Sequence, residues 1–525
     1  MTAALAASGT ASAAVGDIGY DGCVGNTGAN GCFDLPATPL GNVADVAVSP
    51  DGKSVYAVSQ GTNSVAHFFR APQGQIVYDG CLNNDGSEGC GNLPGEPLTS
   101  ANGVAVSPDG KSVYVASGGA NSITHFLRAP AGQIVYQGCL ANDDTAGCED
   151  VAGAPLHQAT DVALSPDGTS VYVASRGSDA VVHFARGPAF GELAYNGCYA
   201  NGDADGCADI PEAPIDEARG VAVSPDGRSV YVTAQAGGSV GHLFRGTDGR
   251  LQWDGCLNNT GSQNCADVPS EPLADPWGVA VSPDGKSVYV ASVNGGTVAH
   301  LFRAPGGQIA WDGCLSSDGS LNCADVPGDP LVGAAQVAVS ADGRSVYAAS
   351  LASDSVAHLK RTGADGQIEW GGCAANTGSG GCTDLPGEPL DVAQSVAVAP
   401  DGGSVYVGTL GSDTVAHFFR EPVTAPAPAA DPQPPVAEPQ PDTTPAGTPG
   451  DGPLPAAADT LAPTLSRVAL TRRRFRAARG TTLRFTVSEA ATVRVVVERL
   501  RRGGRVARRV GTLVRTAAAG SARLR

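Results

Sequence analysis

Between His67 and Cys90 the chain reads HFFRAPQGQIVYDGCLNNDGSEGC. A histidine stands three residues before an arginine, Asp79 follows, and Cys81 and Cys90 bracket a polar ring. Imidazole, carboxylate and thiol groups this close in sequence are the raw material of a metal site or of a nucleophile with its base. The question is whether this stretch does chemistry or builds scaffold.

Its spacing along the whole chain decides. SPDG begins at Ser49, Ser107, Ser165, Ser224 and Ser282, with degenerate copies at Ser340 and Ala399, so seven units recur every 58 or 59 residues. Each unit has one such histidine (His67, His125, His183, His242, His300, His358, His417), with an arginine three residues on. A catalytic centre needs one constellation, not seven, so these residues read as structural, hydrogen-bonded within or between units. The chemistry belongs where the units differ.

The cysteines follow the same period. They form the pairs Cys23 and Cys32, Cys81 and Cys90, Cys139 and Cys148, Cys198 and Cys207, Cys256 and Cys265, Cys314 and Cys323, and Cys373 and Cys382, which uses all fourteen. A gap of eight is not the short gap of structural zinc ligands. Seven local disulfides are expected, and with them an oxidising compartment and export.

Each unit holds four runs rich in Val, Ile, Tyr and Phe, such as GVAVS, SVYVAS, SITHFLR and QIVYQG, separated by turn residues. Four short strands repeated seven times predict an all-β fold, a seven-bladed β-propeller spanning 16–420. The chain enters at GDIGYDGC, which aligns with a fourth strand, and leaves the array at TVAHFFR, which aligns with a third. The N-terminal strand is therefore expected to complete the last blade and close the ring.

The segments GVAVSPDGKSVYVAS (Gly103–Ser117) and GSDTVAHF (Gly411–Phe418) resemble the YVTN-type repeats, and among these the seven-bladed lactonase-like (6-phosphogluconolactonase-like) propellers. The resemblance implies the propeller fold, and it carries lactone hydrolysis as one implied activity. No complete lactonase catalytic set maps onto this chain, and the paired cysteines are not part of that pattern. Binding and surface proteins share the fold.

In such a blade the loops opposite the SPDG turns lie on one face. Five residues before each SPDG stand Ala44, Asn102, Thr160, Arg219, Trp277, Ala335 and Gln394; eleven after its start stand Gln60, Gly118, Arg176, Gln235, Val293, Leu351 and Leu410. They vary while their neighbours hardly do, and both sets should ring one channel mouth. Gln60, Asn102, Arg176, Arg219, Gln235, Trp277 and Gln394 are the ligand-binding candidates, against drift at exposed positions. Arg suits carboxylate or phosphate, and Trp suits a flat ring. In the lactonase alternative His157, or a metal-bound water at the mouth, is the base and Arg176 or Arg219 holds the oxyanion.

One cysteine ring has calcium-loop spacing. Asn201, Asp203, Asp205, Asp209 and Glu212 fall at positions 1, 3, 5, 9 and 12 of NGDADGCADIPE. An Asx-turn-rich surface loop is the other reading. Calcium is the only cofactor the sequence raises.

The chain has 525 residues and a formal charge of −19, spread unevenly. Residues 463–525 hold 17 Arg and 2 Glu, whereas the rest carry 16 basic and 50 acidic side chains. Residues 1–15 read as a signal-peptide remnant or a small-residue tail, and 421–463 as a Pro/Ala-rich linker. Residues 464–525 alternate like strands and resemble the start of an immunoglobulin-like module, though about 60 residues fall short of the ~100 of a sandwich. Nucleic acid is not the expected partner, since few aromatics interleave the arginines. No apolar run reaches membrane-spanning length. The expected protein is a monomer, secreted or at the cell surface, binding a small molecule, glycan or protein.

Overall fold

The computed structural model describes residues 16–202, 206–378 and 381–421, with the strands Leu465–Leu470, Leu483–Val487, Ala491–Leu500, Val506–Ala517 and Gly520–Leu524. Residues 1–15 and most of the linker lie outside the described residues.

Seven sheets, or blades, follow one another along the chain. Their first strands are Val43–Val48, Ala101–Val106, Ala159–Leu164, Ala218–Val223, Pro276–Val281, Ala334–Val339 and Ala393–Val398, numbered here as blades 1 to 7. In blade 1 the next strands are Ser54–Ser59, Ser64–Arg70 and Ile76–Asn83, each antiparallel to the one before. The second strands are buried along their whole length, so they read as unbroken apolar runs such as SVYVAS rather than as alternation. In the SPDG turn Gly52 takes φ 64°, and the Ser49 hydroxyl donates to Asp51 at 2.6 Å. The same oxygen accepts the Ser54 N–H at 3.0 Å, which locks the hairpin.

The expected clasp is present. Ile18–Gly25 pairs antiparallel with Thr414–Arg420 and supplies the fourth strand of blade 7. The expectation of four strands per blade is one short. A two-residue fifth strand, Gly91–Asn92 in blade 1, pairs parallel with the fourth, and every blade has one. The disulfides hold it there. All seven pairs are bonded as expected, each tying the fourth strand to the residue just before the fifth. The ring folds back and covers the outer edge of each blade, which would otherwise present unpaired backbone groups.

The core lies in the seams between blades. Val58 and Val65 of blade 1 pack with Leu98, Val104, Val113 and Phe126 of blade 2. Each seam is fastened by the repeated histidine, arginine and tyrosine. Arg128 of blade 2 reaches the Asp51 carboxylate of blade 1 at 2.9 Å and donates from Nε to the Tyr56 hydroxyl at 2.8 Å. Tyr56 donates in turn to the Gly132 carbonyl at 2.5 Å. His67 Nε2 lies 3.0 Å from the Ser54 hydroxyl, and its Nδ1 lies 3.1 Å from Asp79. Gly132 sits so close to Ser54 and His67 that a Cβ there would collide with both. The arginine–aspartate bridge recurs at all seven seams, including Arg70 to Asp401 between the first and last blades. The stretch that opened the sequence is scaffold.

The chain divides into two units, Met1–Asp431 and Pro432–Arg525. In the second, Leu483–Val487 pairs antiparallel with Leu465–Leu470 and with Gly520–Leu524, and Ala491–Leu500 pairs with Val506–Ala517. Among the described residues no helix is long and apolar enough to cross a membrane.

Candidate functional site

Near the start of each blade's first strand the pairing register shifts, for example between Val43 and Asp45, Ala159 and Asp161, and Ala218 and Val221. Such bulges re-aim side chains. Two consecutive residues therefore face the channel in several blades: Ala44 with Asp45, Thr160 with Asp161, Ala335 with Gln336. With the loops after the second strands they enclose a cavity of about 640 Å³ at the channel mouth, opposite the SPDG turns.

All seven ligand-binding candidates line this cavity. They divide by what they touch. Neighbouring first strands belong to separate sheets, so their facing backbone groups need other partners. Gln394 Nε2 donates to the Ala44 carbonyl at 3.0 Å, and Asn102 Nδ2 to the Ala159 carbonyl at 2.9 Å. Gln60 Nε2 donates to Asn102 Oδ1 at 2.7 Å. These three amides stitch blades together. Arg176, Arg219, Gln235 and Trp277, on blades 3 to 5, make no such bridge: their side-chain bonds go to other side chains.

This half of the rim is charged. The Arg219 guanidinium carbon lies 3.3 Å from the centre of the Trp277 ring, a cation–π stack. Arg219 also donates to Gln235 Oε1 at 3.3 Å, and Trp277 Nε1 donates to Asp275 Oδ1 at 2.8 Å. Burial, with the like charge of Arg176, brings the Arg219 guanidinium down to about 10. Burial raises the Asp275 carboxyl above its ordinary range. Arg176 is ion-paired to Glu217 at 3.4 Å, while its Nε is buried and makes no hydrogen bond among the described residues. Two guanidiniums lining one cavity can pair with a carboxylate, sulfonate or phosphate group.

Asp45 and Asp161 are the ionisable cavity residues that sequence reasoning missed. Asp45 accepts from its own blade's Val46 N–H at 2.8 Å and from Val104 of blade 2 at 2.9 Å. Asp161 does the same with Val162 at 2.8 Å and Val221 of blade 4 at 2.9 Å. Burial, then the charge of Asp161, pushes the Asp45 carboxyl up to about 8. Burial lifts Asp161 to about 6, with Arg219 pulling it back down. A signal was present: the equivalent residues in blades 2, 4 and 5 are Gly103, Gly220 and Gly278. An acid among glycines at one repeat position breaks the pattern as clearly as Arg219 does.

His157 lies outside the cavity. It is exposed, and its backbone N–H donates to the Ser178 hydroxyl at 3.1 Å. Of the calcium candidates, Asn201 Oδ1 accepts the Ile215 N–H at 3.0 Å, a bond that Asn84 and Leu98 repeat in blade 1. Asp209 accepts the Gly202 N–H at 2.8 Å, and Glu212 sits at φ 67°. Asp203 and Asp205 lie outside the described residues. Among the described residues no group of three or more His, Cys, Asp or Glu is arranged to hold a metal ion.

No protein-family model and no curated protein matches the sequence. Solved structures do match. A proposed 6-phosphogluconolactonase from Bacteroides uniformis is 18% identical with a TM-score of 0.47, over 67% of this chain and 88% of that one. The periplasmic gluconolactonase PpgL of Pseudomonas aeruginosa is 18% identical with a TM-score of 0.44, over 64% and 84%. The hydrazine synthase of Kuenenia stuttgartiensis is 18% identical with a TM-score of 0.45, over 73% and 97%. This chain is a seven-bladed β-propeller whose structural neighbours include proteins named as 6-phosphogluconolactonases.

Proposed function

We propose that the protein is an exported binding propeller whose site is the channel mouth, taking a small molecule or glycan unit that carries an anionic group beside a flat ring face. The observation that supports this reading is the convergence of repeat-breaking residues on one cavity, with Arg176, Arg219 and Trp277 on the same half of its rim. A channel wall kept only for closure would be expected to repeat as the seams do. The seven disulfides favour an oxidising compartment. The Pro/Ala-rich segment 421–463 and the arginine-rich residues 464–525 then serve as spacer and surface attachment. Lactone hydrolysis keeps Arg176 and Arg219 in the cavity but leaves His157, the base it named, outside.

The test is a panel of aromatic carboxylates, sulfonates, sugar phosphates and lactones against the full chain and an Arg176→Ala/Arg219→Ala/Trp277→Ala variant. Binding without turnover, lost in the variant while the melting temperature holds, supports the reading. Lactone turnover lost in the variant would replace it with hydrolysis.

A further inference from the structure

The cavity that holds two guanidiniums also holds two carboxyls, and no part of the ligand seat described above uses them. Asp45 and Asp161 stand on the innermost strands of blades 1 and 3, flanking Gly103 of blade 2. Both accept hydrogen bonds from backbone N–H groups of their own and a neighbouring blade, so their positions are set by the fold rather than by a counter-ion. The charged groups that act on them are few. Asp45 feels Asp161, and Asp161 feels Arg219. The guanidiniums face Glu217 and Asp275 on the rim. With both floor carboxyls ionised, two cations face four anions, and an anionic ligand meets net repulsion in a poorly screened cavity. Each proton taken up by the floor removes one of those anions without moving an atom.

We propose that the mouth takes its anionic ligand together with a proton received by Asp45 or Asp161, so that the site fills at mildly acidic pH and empties above neutral. This rests on the ligand-site reading above. It makes the propeller a proton-linked carrier, with the two carboxyls as the groups that set its release. Burial already holds these groups near the relevant range, Asp161 at about 6 and Asp45 at about 8.

The probe is 4-bromobenzenesulfonate, an aromatic anion whose own charge does not change over the range. Calorimetric titration of the full chain at mildly acid, neutral and mildly alkaline pH should show affinity falling by about tenfold or more from the acid to the alkaline end, up to tenfold per pH unit for one linked proton. Neutral-pH titrations in two buffers of different ionisation enthalpy should show uptake of roughly one proton per ligand bound. Asp161→Asn should flatten the profile, and His157→Gln, which changes an exposed imidazole outside the cavity, should leave it intact. Should the Asn variant fail to fold, the wild-type proton count decides alone. Equal affinity across the range, no proton uptake, or a profile abolished by His157→Gln would overturn the proposal and leave the binding site standing. No binding of the sulfonate at any pH would remove both.

Discussion

Arg219 of blade 4 lies over Trp277 of blade 5, with its guanidinium carbon 3.3 Å from the ring centre. The stack joins two repeat-breaking residues of the rim across one blade seam. It holds a half-buried cation in place with most of its hydrogen-bonding edge unspent, since Gln235 accepts one bond from it. Replacing Arg219 with Ala should therefore cost about 1–3 kcal/mol of anion affinity, the scale of a charge-assisted bond. Its effect on the melt should be small. Calorimetric titration beside thermal melts checks this; lost stability with unchanged affinity would make the stack structural.

The seam arginines should behave oppositely. Arg128 is buried and holds Asp51, Ser54, Tyr56 and the Gly110 carbonyl together. Arg128→Ala leaves several of these groups unsatisfied, for a loss of about 2–4 kcal/mol in urea unfolding. Arg128→Lys should recover only part, because an ammonium cannot reproduce the planar fork. Ligand binding measured on the folded fraction should not change.

The repeated histidines give an acid dependence whose sign is fixed. Burial holds His125 and His183 down to about 4, so both stay neutral in the fold and take up protons on unfolding. Their contribution is fully present above the ordinary histidine value of about 6.5 and is lost as pH falls from there toward 4. In blade 1 the Nδ1 atom faces Asp79, whereas the equivalent of Asp79 in blade 2 is Gln137. Gln137→Asp should supply the missing partner and raise the His125 value. The variant should then gain on wild type in urea midpoint at pH ~4.5 relative to pH ~7.5. An equal difference at both pH values would contradict it.

Each disulfide should act locally. Cys81→Ser/Cys90→Ser frees the fifth strand of blade 1 from the fourth but leaves the seams intact. The loop-entropy scale for a ring of this size is at most about 2.5–3 kcal/mol. Hydrogen exchange should rise at Gly91 and Asn92 and stay unchanged at the first strand, Val43–Val48. Exchange rising throughout blade 1 would show that the bond supports the whole sheet.

Most of this architecture was legible because repetition separates scaffold from site. Seven units recurring every 58 or 59 residues placed the blades, the pairs of cysteines and the clasp by Ile18–Gly25. The rim followed from the positions where Arg176, Arg219 and Trp277 depart from the pattern. Asp45 and Asp161 escaped because simple strand alternation turns consecutive side chains to opposite faces. The bulge that brings both Thr160 and Asp161 into the channel leaves no local mark in the sequence. The fifth strands escaped for another reason: two residues such as Gly91–Asn92 carry no periodicity, and only the disulfide ring brings them to the sheet edge. His157 was expected at the mouth from the connection it sits in, but position in a connection does not decide whether a side chain turns into the channel.

The central claim is that the residues breaking the repeat make the binding site. Its most direct measurement is the position of a bound ligand. Crystals of the full chain soaked with 4-bromobenzenesulfonate at mildly acid pH carry an anomalous bromine marker. The account predicts a bromine peak inside the channel mouth, with the sulfonate on Arg176 or Arg219. Bromine found only over the SPDG turns or along the disulfide rim, with the mouth empty, would contradict it.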